Sequence, residues 1–152
     1  MKDKFIRYYL EIAKHTAELS YAKRLRVGSV IVKDDRIISI GYNGTPSGCN
    51  NECEFVNEGF VPQAEDKLST KPEVLHAEAN AITKLARSSE SGLCSTMFCT
   101  HSPCLECSKL IYQSGVSMFY YMWDYRSQIG TDFLNECGVT VTKCPVARVE
   151  IA

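Results

Sequence analysis

Two short motifs hold the residues best suited to chemistry, His76-Ala77-Glu78 and Pro103-Cys104-Leu105-Glu106-Cys107. Cys104 and Cys107 stand three positions apart at the start of a helix, which puts both sulfurs on one helical face. The positive end of the helix dipole favours thiolates, the form of cysteine that binds metal. His76, at the start of a second helix, adds an imidazole of intermediate softness, and the set of donors suits zinc. Three protein ligands leave one tetrahedral position open to water, the pattern of a catalytic rather than a structural zinc. Zinc lowers the pKa of bound water to about 7 from roughly 15.7. Two thiolates offset the charge of the metal and weaken that effect, so a base must assist. Glu78, two residues beyond His76, is the natural base: it can take the water proton and deliver protons to a ring nitrogen and a departing amine.

Taken singly, each motif has a plainer reading. A Cys-x-x-Cys pair also serves structural metals and redox couples. A lone histidine is more often a satisfied core residue than a ligand. A redox pair, however, needs neither the preceding proline nor an upstream His-x-Glu. A structural zinc needs a fourth ligand, for which Cys94, Cys99 and His101 stay open. The two motifs together, each at a helix start, select the catalytic reading.

The elements that must position these motifs follow from periodicity. Phe5, Tyr8, Tyr9, Ile12, Ala13, Thr16 and Leu19 recur at helical steps, which predicts an amphipathic helix over 5–19. A strand over 27–32, a turn at 33–36 and a strand over 37–40 read as a hairpin. The loop 41–48 is rich in chain-bending residues, and 50–72 is a long excursion with no clear period, a feature that is more often functional than idle. A helix over 74–87, a strand over 95–100 and a helix over 103–113 follow. A strand over 116–122, a helix over 131–137 and a strand over 139–143 complete the chain. The order α-β-β-α-β-α-β-α-β predicts an α/β fold: three α-β-α layers around a mixed five-stranded sheet, with parallel crossovers in its second half.

Composition sets the broad class. The 152 residues, 45% hydrophobic and 23% charged, predict one globular domain over 1–152. A formal net charge of -1 gives no general drive toward a polyanion. The excursion sets Glu52, Glu54, Glu58, Glu65 and Asp66 against only Lys67 and Lys71, which argues against nucleic acid as a partner. No apolar run is long enough to cross a bilayer, and the N-terminus leads into no export signal. A cytoplasmic protein is expected. In that reducing setting the eight cysteines are not disulfide partners, and Cys94, Cys99 and Cys137 are expected to be small buried residues.

Four segments carry a wider likeness: Val27-Gly28-Ser29-Val30-Ile31-Val32, Gly41-Tyr42-Asn43-Gly44-Thr45-Pro46, His76-Ala77-Glu78-Ala79-Asn80-Ala81 and Ser102-Pro103-Cys104-Leu105-Glu106-Cys107. Together they resemble the deoxycytidylate (dCMP) deaminase family, from about Phe5 to Lys143. The zinc motifs belong to all cytidine-deaminase-like enzymes. The Gly-Tyr-Asn-Gly loop and the long excursion after it point to the deoxycytidylate branch. The resemblance implies zinc-dependent hydrolysis of dCMP to dUMP and ammonia, feeding thymidylate synthesis. It makes His76, Cys104 and Cys107 the zinc ligands, Glu78 the proton shuttle, and Asn43 and Ser102 substrate contacts. It further implies a homohexamer activated by dCTP with Mg2+ and inhibited by dTTP, the triphosphate lying near Gly44, Thr45, Cys49, Glu54, Phe55 and Arg87.

Several of these positions have competing readings. Asn43 can serve a sugar hydroxyl as donor and acceptor, or be a turn residue at positive φ. A monophosphate needs cationic donors, and Arg24 and Arg126, with Tyr125, are the expected contacts; Lys23 and Arg26 stand close by. Each is equally an exposed, solvated charge. Arg87 can be a favourable charge near a helix C-terminus. A second, structural zinc lacks ligands, since Val74 stands where the family would have an acid, and Cys49 and Cys53 alone do not close a site; one zinc per chain is expected. The rival functions are a deaminase acting on a base in RNA or single-stranded DNA, and a non-catalytic zinc-binding module.

Overall fold

In the computed structural model, which describes residues 1–57 and 67–144, helix α1 (Asp3–Ala17) buries Tyr9, Leu10, Ala13, Thr16 and Ala17 along one stripe. It begins two residues before the expected start, with Asp3 in its first turn and Lys14 and His15 in its last, both favourable to the helix dipole. Strands β1 (Gly28–Lys33) and β2 (Arg36–Tyr42) form the expected hairpin. Asp34 and Asp35 turn it with φ of 50° and 57°, the conformation that matches strand twist in a two-residue connection.

The excursion holds a second, three-residue hairpin, β3 (Glu54–Val56) against β4 (Leu68–Thr70). Strands this short show no alternation, so periodicity does not reveal them. Glu58, Glu65 and Asp66, and the chain beyond Cys144, lie outside the described residues. Helix α2 (Ala77–Ala86) begins later than the expected position 74. Leu75 is instead extended, paired with Gly44 through two backbone hydrogen bonds of 3.0 and 2.8 Å. Then come β5 (Thr96–His101), α3 (Leu105–Gln113), β6 (Met118–Trp123), α4 (Ile129–Glu136) and β7 (Thr140–Lys143).

The main sheet has the order β2-β1-β5-β6-β7. Its β2, β1 and β5 pair antiparallel, whereas β5, β6 and β7 pair parallel, so the mixed five-stranded sheet holds. Alternation sends neighbouring side chains to opposite faces. Val30, Val32, Phe98, Tyr120 and Met122 meet Tyr9, Leu10 and Ala13 of α1. Ile31, Met97, Cys99, Phe119 and Tyr121 face the other way, onto Ala81, Leu85, Cys107, Ile111 and Leu134 of α2, α3 and α4. Three layers result. Of the three cysteines expected inside, only Cys99 is buried. Cys94 is exposed on a turn at φ 59°, and Cys137 is half-buried as the C-cap of α4.

Two close approaches fix the helices that matter. A Cβ added at Gly41 would lie 2.2 Å from the Ala77 carbonyl oxygen and 2.4 Å from the Ala81 nitrogen, so α2 presses directly on β2. Ser29 and Ser39 donate to the carbonyls of Ala77 and Ala81 at 2.9 and 2.7 Å, and Asn80 Nδ2 donates to Tyr42 O at 2.8 Å. A Cβ at Gly130 would meet Pro103 O at 2.1 Å, which seats α4 against the entry to α3. Among the described residues, no helix is long and apolar enough to cross a membrane.

Candidate active site

Strand β5 ends at His101, and Ser102-Pro103 carries the chain to Cys104, the N-cap of α3. Its sulfur accepts the Cys107 N–H at 3.4 Å. His76 is the N-cap of α2. The two helix starts therefore meet, and His76 Nδ1 lies 3.5 Å from Cys104 Sγ and 3.4 Å from Cys107 Sγ. The three donor atoms lie within 4.8 Å of one another. A tetrahedral zinc with ordinary Zn–N and Zn–S bonds separates nitrogen from sulfur by roughly 3.6 Å, so the donor set and its spacing fit that ion. Among the described residues no other His, Cys, Asp or Glu joins the group. Cys94 sits on an exposed turn, and His101 Nδ1 contacts Thr100 Oγ1 at 2.9 Å, so the fourth ligand of a closed structural site is missing from these candidates.

The protonation of the cluster follows from its contacts. The hydrogen bond from the Cys107 thiol, then that from His76, hold Cys104 down at about 3, a thiolate at neutral pH. Its partner Cys107 is pushed up, first because its thiol proton is shared with Cys104 and next by burial. His76 is raised, chiefly by its bond to Cys104. Glu78, only 4% exposed, is raised to about 7, mainly by burial. A carboxyl near neutrality can both accept and return a proton, which is what a shuttle requires.

His76, Glu78 and Cys104 open into a cavity of about 530 Å³, with Cys107 buried behind its lining. Of the expected substrate residues, Arg24, Asn43, Ser102, Tyr125 and Arg126 all line it, with His76, Glu78 and Cys104. Asn43 Oδ1 accepts from Val27 N, and its Nδ2 donates to Leu25 O, both at 2.8 Å. It does not take positive φ, so the turn reading does not hold. Ser102 Oγ accepts the Tyr125 N–H at 2.7 Å. Arg126 takes φ 52°, a conformation rare outside glycine, and its guanidinium lies 5.1 Å over the Tyr125 ring. Arg26 bonds to Ala22 O instead and is not in the cavity wall.

The expected regulatory residues divide. Gly44, Thr45, Cys49, Phe55 and Arg87 stand outside the cavity lining, whereas Glu54 is part of it. Thr45 Oγ1 donates to Asn50 O at 2.7 Å, Cys49 N donates to Pro46 O at 3.0 Å, and Arg87 is the exposed C-cap of α2. Sequence reasoning gives no cavity role to Leu25, Leu68, Thr70 or His101, all of which line it. The ring of His101 packs 5.3 Å from that of Trp123. Its place next to Ser102-Pro103 is a usable signal; Leu68 and Thr70 carry none.

Residues 3–123 match the family described as the cytidine and deoxycytidylate deaminase zinc-binding region. The deoxycytidylate deaminase of Mycobacterium phage D29 is 39% identical over 118 residues, covering 75% of this chain and 91% of that protein. That of Saccharomyces cerevisiae is 35% identical over 146 residues, 93% of this chain but 45% of the yeast protein. The chain thus spans under half the length of that relative, and also of the Schizosaccharomyces pombe one, of which it covers 41%. Among solved structures, the dCMP deaminase of cyanophage S-TIM5 in complex with dCMP and dUMP superposes with a TM-score of 0.85 at 46% identity, covering 95% of this chain and 99% of that one.

Proposed function

The chain belongs to the cytidine and deoxycytidylate deaminase zinc-binding family, and from that premise we propose that it hydrolyses dCMP to dUMP and ammonia, upstream of thymidylate synthesis. One observation carries the reading: three zinc-type donor atoms lie within 4.8 Å of one another, and two of them, on His76 and Cys104, line a cavity together with a buried carboxyl raised to about 7. The phage and yeast relatives are named deoxycytidylate deaminases, and a cyanophage member was solved with dCMP and dUMP.

His76, Cys104 and Cys107 hold the zinc. When bound, the ion supplies the Lewis acidity that makes water nucleophilic near neutral pH. Glu78 takes the proton of the attacking water and passes it to the ring nitrogen N3, which draws electrons from C4. A C4–O bond forms. Glu78 then carries the second water-derived proton to the exocyclic amine, the C4–N bond breaks, and ammonia leaves. Asn43 keeps a second N–H and a second lone pair beyond its bonds to Val27 and Leu25, enough to hold a sugar hydroxyl. Ser102 fixes the Tyr125 backbone, and with it the Tyr125-Arg126 turn. Arg24 and Arg126 receive the 5′-phosphate, the forked guanidinium matching its oxygens.

The reading extends to one catalytic domain over 1–152, one zinc per chain, a cytoplasmic homohexamer, and regulation by dCTP with Mg2+ against dTTP. Gly44, Thr45, Cys49, Phe55 and Arg87, none of which lines the cavity, are the regulatory positions. Ammonia release from dCMP, dCTP, deoxycytidine and cytidine, on protein of measured zinc content, tests the reading. The expected result is the highest kcat/KM on dCMP, with about one zinc per chain. Rates on sub-saturating dCMP that ignore both triphosphates remove the regulatory part, and no ammonia from any of the four removes the whole.

A further inference from the structure

One part of the cavity wall is built by segments far apart in sequence. The connection between α1 and β1 contributes Lys23 and Arg24, and the β3–β4 hairpin contributes Glu54 and Thr70. A single oxygen of Glu54, Oε1, accepts both the Lys23 N–H at 2.9 Å and the Arg24 N–H at 3.2 Å. Consecutive backbone N–H groups converging on one point make a cradle for an anion, and here the anion is the protein's own carboxylate. Arg24 Nη1 also donates to Thr70 Oγ1 at 3.0 Å. Ala22, next to Lys23, packs with Cys53, next to Glu54, and with Val74 in a small buried cluster that ties the two segments together.

We infer that Glu54 is a positioning residue for the phosphate end of the substrate: by capping the Lys23 and Arg24 backbone it aims both cations into the cavity that holds Glu78, and so favours a nucleotide over a nucleoside. The inference rests on the proposed dCMP hydrolysis. A carboxylate beside a phosphate is itself repulsive, so its benefit has to come through the groups it holds. Lys23 and Arg24 leave this part of the wall net positive beside Glu54, and Arg126 adds a further cation to the cavity lining, which suits a phosphate carrying close to two negative charges. The tether to Thr70 uses one of the five guanidinium N–H groups of Arg24 and leaves its fork for phosphate oxygens.

The test compares dCMP with deoxycytidine. Glu54→Ala is expected to raise KM for dCMP at least tenfold and to lower the ratio of kcat/KM for dCMP over deoxycytidine by a similar factor. Glu54→Gln, whose amide oxygen still accepts both N–H groups, is expected to recover most of that loss. Without turnover, calorimetry on zinc-loaded protein should show dUMP binding weakened far more than deoxyuridine binding. The loss should also be less than additive with Arg24→Ala, because part of the effect of Glu54 runs through the Arg24 side chain that it positions. Should the alanine variant not fold, Glu54→Asp keeps the charge but shortens the arm, and is expected to lower the same ratio. Equal losses on both substrates, or additive losses with Arg24→Ala, overturn the inference. A wild-type protein that binds dUMP selectively yet releases no ammonia from dCMP would instead sink the reaction and leave the role of Glu54 standing.

Discussion

The metal-ligand end of the cavity stands on the first turns of α2 and α3, both pressed onto the main sheet, whereas the wall around Glu54 is made of a connection and a two-stranded hairpin. At the first end, Cys107 is 2% exposed and belongs to the principal core cluster, and backbone contacts through Gly41 and Gly130 fix the approach of the helices. At the second, Phe55 and Val56 are exposed, and the segment is joined to the rest by the Ala22–Cys53–Val74 cluster and a few hydrogen bonds. Under the proposed function the difference separates two tasks. Bond-breaking needs donor atoms held to a fraction of an ångström, which packed helix starts provide. Choosing among substrates needs a surface whose residues can differ while the chemistry stays, which irregular segments provide.

The largest expected effect lies at the rigid end. Glu78→Gln keeps the volume and loses the proton acceptor, so kcat on dCMP should fall roughly 10²- to 10⁴-fold with zinc retained, as read by metal analysis. Loss of zinc with the activity would make Glu78 a support of the metal site; a variant as active as wild type would end its role as shuttle.

The same residue shapes stability without metal. Glu78 titrates near 4.5 when unfolded and is raised to about 7 by burial in the fold. Between those values the folded chain holds a proton that the unfolded chain has released. Its contribution is thus fully present below about 4.5 and is lost as pH rises through 7, on the order of 3 kcal/mol in all. Urea unfolding of metal-free protein at pH 5 and pH 8 should show that fall, and Glu78→Gln should lack it. Equal pH dependence in both proteins would contradict the burial argument. Zinc should shrink the fall, since a nearby cation favours the carboxylate.

Packing offers a direct contrast between the two regions. Gly41→Ala puts a Cβ against the Ala77 carbonyl and should cost about 1–3 kcal/mol. Because Ala77 lies between His76 and Glu78, zinc affinity should fall too. Val56→Thr, at 73% exposure in β3, should stay within about 0.5 kcal/mol. Comparable losses in the two variants would erase the distinction between a packed and a loosely attached region.

The same split decides what the sequence reveals. His76, Glu78, Cys104 and Cys107 are legible because metal chemistry demands fixed residue types at fixed spacing. The main-sheet strands and the helices are legible because each buries one face and shows its period. The start of α2 is misread because Val74 and Leu75 extend the apolar pattern backward, while the Leu75 backbone is committed to Gly44. Strands β3 and β4 are too short to show a period. Glu54 meets backbone groups 31 and 30 positions away, a pairing that no local pattern encodes.

Smaller effects on catalysis than at Glu78 are expected at the cations, and there the two arginines can be told apart. Arg24 is held through Glu54 and Thr70, whereas Arg126 takes a left-handed conformation over the Tyr125 ring, next to the Tyr125 N–H that Ser102 accepts. If both contact the phosphate, Arg24→Ala and Arg126→Ala should each raise KM for dCMP by about tenfold, near 1.4 kcal/mol, with far less effect on deoxycytidine. Arg126 also lies close enough to His76 to oppose its protonation. Its loss should therefore alter kcat as well as KM, while the loss of Arg24 should act on KM alone. A matching kcat change in both variants would mean that the outer wall is no softer or more remote than the metal end, and that the two regions work as one.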